Sequence, residues 1–431
     1  MSTSSPAERP LPKLDAFGED FTAFHARFAS LFARSEPRRK AVQYVRTLMG
    51  PVERRNGWQM AEAMGDRRPD AVQRLLCHAT WSARDARDRL MDFSVEQFGD
   101  PEGIGILDDT GFIKKGSASV GVQRQYSGTA GKIENCQIGV FLGYDSERGQ
   151  VLLDRALYLP TSWCEDAARR KAAHVPKGVR FHTKPELGLR MLRRAWRRGV
   201  PMAWITADEA YGDDGAFRAA LDKAERRYVL CVSSSTKAWA TVLNAVAAAE
   251  ADRPRMGRPR TRFWLLPGVA RPQSVKTIVA SWPATQWHRL ALQQGEKGPI
   301  EYDWACARVT ERRKRRPARE SWLLARRSIK NTAEVAYYLS NAGAATTLET
   351  LARVASRRYT IEQCFEEAKD DVGLDQYEVR TWPSWHRHVT LTMMALAWLA
   401  SIRAKLRDPS STLSCALEEQ PAQLVPGKKA A

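Results

Sequence analysis

The chain has 431 residues, and its 68 Lys and Arg against 49 Asp and Glu give a formal net charge of +19. Hydrophobic residues make up 43% of it, an ordinary fraction for a globular protein, which excludes wholesale disorder. No stretch approaches the roughly 18 uninterrupted apolar residues of a membrane span, and the polar first residues lack an apolar signal segment. These features predict a soluble, cytoplasmic protein.

The positive charge favours a polyanionic partner, most often nucleic acid. The basic residues cluster at 38–40, 169–171, 193–198 and 312–316. Any one of these clusters is typical of a solvated face, whereas together they favour a phosphate-binding surface. The 7 cysteines are scattered without metal-ligand spacing, so we expect reduced thiols and no zinc site.

The N-terminal region has a helical pattern from residue 14 to about residue 100. Four phenylalanines, Phe21, Phe24, Phe28 and Phe32, follow one another at helical steps. Asp70 stands where the N-cap of a later helix is expected. Short helices with arginines in their turns fit a helix-turn-helix DNA reader, and a plain helical packing domain fits them equally well.

After residue 103 the pattern changes to strands, followed by alternating helices and strands. Strands are predicted in 104–110, 119–128, 135–145, 151–160, 203–207 and 228–234, and helices in 186–199 and 214–227. This order predicts a mixed α/β sheet. Gly199 is expected to end the first of these helices.

From residue 236 to about 320 the signals scatter. A helix is predicted over 240–249, and short strands are predicted in 276–282 and 302–310, which together indicate a β-rich insertion. Strands in 322–328 and 333–342 and helices over 348–354, 359–372 and 388–404 then resume the α/β pattern.

The predicted organisation therefore has six parts. They are a disordered N-terminus (1–13), a helical, DNA-binding domain (14–100), a first part of an α/β catalytic core (101–235), a β-rich insertion (236–320), a second part of the core (321–406) and a disordered tail (407–431).

Four acids occupy positions suited to catalysis. Asp108 and Asp109 close the first strand, Asp208 closes a later one, and Glu362 lies on a helix. Carboxylates at the carboxyl ends of neighbouring strands can meet in space and hold two Mg²⁺ ions, with substrate phosphate completing the coordination. The alternatives are a turn residue for Asp108 or Asp109, a helix cap for Asp208 and a solvated acid for Glu362.

Four sequence runs taken in order resemble a bacterial insertion-sequence transposase. They are ILDDTGFIKKG, SVGVQRQYSGTAGKIENCQIGVFLGY, WITADEAYG and RYTIEQCFEEAKDDVGLDQYEVRTW. The chain is similar to the insertion sequence 701 family, whose members are related to the Tyr-Arg-Glu-Lys signature transposases. The resemblance implies an RNase H-like core, interrupted by a β-rich insertion between the second Asp and the Glu.

The resemblance also implies roles for individual residues. The catalytic, metal-binding acids would be Asp109, Asp208 and Glu362, with Asp108 in support. Arg358 and Lys369, at offsets −4 and +7 from the Glu, correspond to the basic residues that contact transposon-end phosphates in related enzymes. The position of the signature Tyr is occupied by Ala355, so the chain departs from the family pattern at the Tyr-mediated contact, and Tyr359 is out of place for it.

Further DNA-binding candidates are Lys114 and Lys115, which follow the first motif, and Arg313 and Arg315 in the last basic cluster. A solvated loop accounts for the two lysines equally well.

The leading hypothesis is a DNA transposase that binds terminal inverted repeats and performs strand cleavage and strand transfer with Mg²⁺, for which Mn²⁺ could substitute. Cutting two ends of double-stranded DNA and joining them to target DNA implies a homodimer or larger assembly, acting at the nucleoid and not at a membrane. The alternatives are a domesticated DNA-binding protein without catalysis and a metal-dependent nuclease without strand transfer.

Overall fold

The computed structural model describes residues 12–243, 268–295 and 298–407. Most of the two predicted disordered ends, and residues 244–249 of the helix predicted over 240–249, lie outside these ranges. Within them the chain forms two compact units. One comprises residues up to 98, 367–379 and those from 383 onwards, and the other comprises residues 99–366 and 380–382.

The first unit is helical in its N-terminal part. Its helices are Pro12–Ala26, Ser35–Leu48, Gly57–Ala63, Asp70–Cys77 and Ala83–Phe98. Phe21 and Phe24 lie on the first helix and are each 3% exposed, as the predicted apolar face requires, but that helix ends at Ala26, so Phe28 and Phe32 lie beyond it. The prediction for Asp70 was wrong. Pro69 already has helical backbone angles and precedes the first helical residue, so Asp70 begins the helix instead of capping it.

The second unit is built on a 12-stranded mixed sheet. Its strands are β1 (Ile104–Ile113), β2 (Gln123–Ser127), β3 (Lys132–Ser146), β4 (Gly149–Leu157), β5 (Trp204–Ala207), β6 (Arg227–Val232), β7 (Lys237–Trp239), β8 (Gln273–Ser274), β9 (His288–Gly295), β10 (Gly298–Arg313), β11 (Arg316–Ser328) and β12 (Val335–Ser340). The order is β2-β3-β1-β5-β6-β12-β11-β10-β7-β8, with β4 paired to β3 and β9 to β10. The predicted mixed α/β architecture is confirmed.

The centre of the sheet combines antiparallel and parallel pairing. β1 pairs antiparallel with β3 and parallel with β5, and β6 continues the parallel part. Parallel neighbours need crossover connections, which the helices Lys184–Arg197 and Gly215–Lys223 supply. The first crossover helix begins with a capping box between Thr183 and Glu186 and ends before Gly199, whose φ of 73° confirms the predicted stop.

The second half of the sheet is antiparallel. β10 and β11 form one continuous hairpin, and the predicted boundary of the insertion at residue 320 falls inside β11. The strand predicted in 276–282 was wrong, because this segment forms the helix Val275–Ala280. Ser274 caps that helix, and Val275, Ile278 and Val279 pack on the sheet at helical spacing, which overrides the β propensity of the valines and isoleucine.

Six further helices complete the described chain: Thr161–Glu165, Ala167–Ala172, Glu209–Gly212, Leu348–Arg357, Thr360–Asp370 and Trp382–Arg407. The last is long and apolar enough to cross a membrane by length and composition, with a mean hydropathy of 1.3. Because 67% of that apolar window is buried inside the protein, it has the environment of a core helix.

Candidate active site

The register of the two parallel central strands brings two acids together. Leu107 on β1 is paired with Ala207 on β5, and Asp108 and Asp208 each come directly after this pair. Paired residues on neighbouring strands direct their side chains to the same face. The carboxyl end of β5 therefore carries an acid next to an acid of β1, as the sequence predicts.

Asp108 lies in a strongly desolvated environment, with its side chain 13% exposed. Burial, together with the negative charges of Asp208 and Asp109, raises the pKa of this carboxyl to about 7, while Arg358 and the backbone N–H of Asp109 oppose the increase. One oxygen of Asp108 accepts a hydrogen bond of 2.7 Å from the backbone N–H of Asp109. The group is poised between its neutral and charged forms near neutral pH.

Asp208 caps the short helix Glu209–Gly212, as the helix-cap alternative for this residue predicts. Its side chain accepts a 3.0 Å hydrogen bond from the backbone N–H of Ala210. Burial, followed by the charge of Asp109, raises the pKa of Asp208 to about 6, whereas Arg358 and the backbone donors lower it. The cap holds the carboxylate in place and does not preclude a second role.

Asp109 is directed to the other face of β1 from Asp108, because successive residues of a strand alternate. Its carboxylate lies 2.9 Å from the Nζ of Lys184, the first residue of a crossover helix. The two side chains are 12% and 28% exposed, so this is a partly buried ion pair. It anchors Asp109 to the helix Lys184–Arg197.

Glu362 lies on the opposite side of the sheet from Lys184. Its helix, Thr360–Asp370, packs on the face that Asp108 shares, as shown by the stacking of Phe365 on Phe141 with ring centroids 5.3 Å apart. Phe141 is the registered partner of Asp108. Asp108, and not Asp109, is therefore the β1 acid on the same face as Glu362.

Arg358 links these two acids. Its guanidinium lies 3.0 Å from Glu362 and 3.6 Å from Asp108. Burial lowers the pKa of Arg358, but its interactions with Tyr359, Glu362 and Asp108 outweigh that effect and hold the pKa above its usual range. Sequence reasoning placed Arg358 and Glu362 one helical turn apart, and the structure brings them into contact.

The remaining predicted DNA-binding residues have different environments. Arg313 forms ion pairs of 2.6 Å with both Glu311 and Asp222 and is 14% exposed, so it belongs to a largely buried network. Arg315 lies in the β10–β11 turn and is exposed. Lys115 is exposed and Lys114 half-buried at the end of β1, and Lys369 is half-buried in the last turn of the Glu362 helix.

Sequence reasoning missed three features of the site. In the sequence, Lys184 is marked only by its place at the start of a helix with a capping box. Arg326 on β11 donates a 2.7 Å hydrogen bond to the hydroxyl of Tyr359 beside Arg358, a contact that no sequence spacing reveals. The hydroxyl of Tyr211 is buried, has its pKa raised well above the usual range by burial and by the three aspartates, and makes no hydrogen bond with any described residue.

The donor set fits a hard divalent cation. Three crowded carboxylates, together with the buried Tyr211 hydroxyl that no described residue bonds, offer more acceptor oxygens than Lys184 and Arg358 occupy. Within 12–243, 268–295 and 298–407, however, no three His, Cys, Asp or Glu side chains form a ready-made metal cage. Glu362, 50% exposed and paired with Arg358, is held apart from such a cage.

Comparison with known families identifies the family of this chain. A family model described as "DDE superfamily endonuclease" matches residues 27–299, more than half of the chain. The chain belongs to the DDE superfamily endonucleases. The matched region contains Asp108, Asp109 and Asp208, whereas Arg358 and Glu362 lie beyond it. Members of this superfamily generally use divalent metal ions.

One similar protein is described as a probable transposase for the insertion sequence element IS701 of Microchaete diplosiphon. It is 25% identical over 183 residues, which cover 41% of this chain and 44% of that protein. The chain thus matches less than half the length of this relative. The predicted resemblance to an insertion-sequence DDE transposase is confirmed.

A solved structure similar to this chain is the cryo-EM structure of the piggyBac transposase synaptic complex with hairpin DNA. The alignment covers 97% of this chain and 85% of that one, with 10% identity and a TM-score of 0.39.

Proposed function

We propose that this DDE endonuclease is the DNA transposase of an insertion sequence, which cleaves DNA at the ends of its own element and joins the freed ends to target DNA. The observation that carries the proposal is the convergence of Asp108 and Asp208 on adjacent parallel strands, with Glu362 tied to Asp108 through Arg358. A basic chain with a net charge of +19 is suited to the polyanionic substrate.

The proposed core is RNase H-like. β4, β3 and β1 form an antiparallel run, and β5 and β6 continue it in parallel with crossover helices, which is the strand arrangement expected of such a core. Asp208 then directly follows the carboxyl end of β5, and Asp108 lies one residue past the last parallel pair of β1, at the edge where open α/β sheets bind their ligands.

The proposed metal ligands are Asp108 on β1, Asp208 directly after β5, and Glu362. Bound divalent ions would activate the attacking water or 3′-hydroxyl and stabilise the leaving oxygen. The protein's own residues orient these ligands: backbone N–H groups hold Asp208 and Asp108, and Arg358 offsets their charge. The ion is proposed to be Mg²⁺, with Mn²⁺ able to replace it.

The two faces of β1 support a choice between its two acids. The family motif led to Asp109, but we propose that Asp108 fills this position, because it shares a face with Glu362 and lies 3.6 Å from the guanidinium of Arg358, which also pairs with Glu362. Asp109 would then support the site through its ion pair with Lys184. Asp108→Asn should abolish cleavage, whereas Asp109→Asn should retain a measurable fraction of it.

Phosphate contacts are proposed for Arg358, Lys369, Lys114, Lys115 and Arg315. Arg313 is left out because its guanidinium pairs with Glu311, which is 0% exposed, and with Asp222, whereas the Glu362 partner of Arg358 is 50% exposed. Cleaving two ends and joining them in one reaction requires at least two active sites, so the working form on double-stranded DNA is proposed to be a homodimer or a larger assembly at the nucleoid.

The test is cleavage of a labelled duplex that carries the inverted repeat flanking this coding sequence, with Mg²⁺, Mn²⁺ or EDTA. Wild type should nick at the repeat boundary only with metal, and Asp208→Asn should bind the duplex but not cut it. The matched control is Asp213→Asn, an acid of the same turn that bonds Ser233 and lies outside the proposed ligand set.

Two results would contradict the proposal. Salt-sensitive binding without any cutting would identify a non-catalytic DNA-binding protein. Cutting without joined products when target DNA is present would identify a nuclease that does not perform strand transfer.

A further inference from the structure

A three-stranded ribbon extends past the edge of the sheet that carries the acids. β5 ends at Ala207, opposite Leu107, whereas β1 continues to Ile113. β3 begins further out at Lys132 and forms a hairpin with β2. The β2–β3 hairpin therefore stands beyond the carboxyl edge of β5.

The tip of this hairpin exposes two large apolar side chains. Tyr126 on β2 is 62% exposed and Ile133 on β3 is 58% exposed. The two are directly opposite each other in the register, so they form one cross-strand pair on one face. Adjacent exposed apolar residues of this size are typical of an interaction surface.

The charges around this pair indicate the class of partner. Arg124 lies two residues before Tyr126 on the same face and is exposed, and Lys115 is exposed at the end of β1. At the tip, Lys132 is 69% exposed and lies 3.0 Å from Glu134, the nearest acid on β3. An aromatic side chain among cations fits nucleic acid better than an apolar protein groove.

The hairpin pair also lies on the face that carries Asp108. Asp108 is the registered partner of Phe141, and Ile133 is eight residues from Phe141 on the same uninterrupted strand. An even separation keeps side chains on one face, and eight residues of strand span about 26 Å. At about 3.4 Å per base step, this distance corresponds to about eight base pairs of DNA.

We propose that the β2–β3 hairpin is a DNA-contact surface that holds duplex about eight base pairs from the phosphate being cut, with Tyr126 and Ile133 against the sugars or bases and Arg124 on a phosphate. The proposal rests on the proposed function, because it takes its distance from the acids of that site. It assigns the hairpin to substrate positioning and not to chemistry.

The first test measures binding by fluorescence anisotropy on a duplex of about 40 base pairs that carries the mapped cleavage site. The double variant Tyr126→Ala, Ile133→Ala should lower the affinity at least about fivefold, and Arg124→Ala should lower the salt slope by about one. Two matched controls should bind as wild type. They are Arg148→Ala, an exposed arginine at the opposite end of β3, and Ile300→Ala, an apolar residue of β10 that is 39% exposed.

The second test places the photo-crosslinker p-benzoylphenylalanine at position 126 of the full chain. Crosslinks should map about eight nucleotides from the nick. Wild-type affinity in the double variant, crosslinks at unrelated distances, or crosslinks to a second copy of the protein would overturn the proposal. A wild-type protein that neither binds nor cuts the duplex would instead refute the proposed function.

Discussion

Arg358 contacts an acid on each of two elements, Asp108 on β1 and Glu362 on the next helix. A guanidinium between two proposed metal ligands competes with the cation for the same negative charge. Arg358 is also a proposed phosphate ligand. If it left Asp108 and Glu362 to bind a DNA phosphate, both acids would become available to the metal, so DNA binding and metal binding would be coupled. This arrangement favours a site that assembles fully only when both metal and DNA are bound.

We expect Arg358→Gln to bind Mn²⁺ about three- to tenfold more tightly than wild type in the absence of DNA, because the competing charge is removed. Electron paramagnetic resonance of free Mn²⁺ measures this directly. Arg357→Gln is the control, since Arg357 pairs with Asp145 instead. Unchanged or weaker Mn²⁺ binding in Arg358→Gln would show that the guanidinium does not compete.

His25 gives the helical unit a position at which stability depends on pH. It is 7% exposed, and its Nε2 makes no hydrogen bond to any residue in the described part of the chain. Burial, with a smaller contribution from the charge of Arg46, lowers the pKa of His25 to about 4. In the unfolded chain the pKa of His25 is near 6.5. Between pH 6.5 and pH 4 the unfolded chain therefore binds a proton at His25 more readily than the folded chain does, and the free energy of unfolding falls as the pH falls.

We therefore expect His25→Phe to flatten the pH dependence of stability. Lowering the pH from 7 to 5 should reduce the free energy of unfolding of wild type by about 1–2 kcal/mol more than that of the variant. Urea unfolding followed by circular dichroism measures the difference. His78→Phe, at an exposed position, should keep the wild-type slope, and an equal slope in His25→Phe would exclude this residue as the cause.

At the level of elements, the loop after β5 is fixed by a close backbone approach. Gly212 ends the helix that Asp208 caps, and a Cβ at this position would lie 1.7 Å from the carbonyl oxygen of Cys231 on β6. Only glycine allows the helix to pack so closely on the strand. The position of Asp208 therefore depends on a residue four positions later.

We expect Gly212→Ala to displace this helix, to lower the free energy of unfolding by about 1–3 kcal/mol and to reduce cleavage more than DNA binding. Thermal unfolding and the cleavage assay together measure both effects. Gly215→Ala is the control, because a Cβ there would meet no atom closer than 3.7 Å. Equal stability and cleavage in the two variants would contradict the argument.

For the whole molecule, the net charge of +19 dominates its long-range interactions. Duplex binding that neutralises several phosphates releases their condensed counterions, so the affinity should fall steeply with salt. We expect the dissociation constant to rise at least about a hundredfold between 50 and 200 mM KCl, measured by anisotropy. A rise of less than about threefold would show that the basic surface is not the DNA-binding surface.

Much of the fold could be predicted from the sequence because local periodicity reports it. Phe21 and Phe24 marked a buried helix face, alternation marked β3, and the apolar runs before Asp108 and Asp208 marked β1 and β5, although β1 continues past its acids to Ile113. The segment 276–282 shows the limit of this approach. Its β-branched residues favour a strand, but Ser274 caps a helix there and the sheet buries one helical face, and neither is visible in local propensity.

The sequence by itself determined the family, the order of the acidic motifs and the basic character of the chain, because residue types and spacing carry that information directly. The tertiary structure decided on which face of the sheet each residue of a motif lies and which residues it contacts. Asp108 and Asp109 are adjacent in the chain, yet strand pairing directs one toward Glu362 and the other toward Lys184. The sequence predicted that Arg313 binds phosphate. In the folded chain Arg313 instead pairs with Glu311 on β10 and with Asp222 on the helix Gly215–Lys223. Such contacts join residues far apart in sequence, so only the folded chain specifies them.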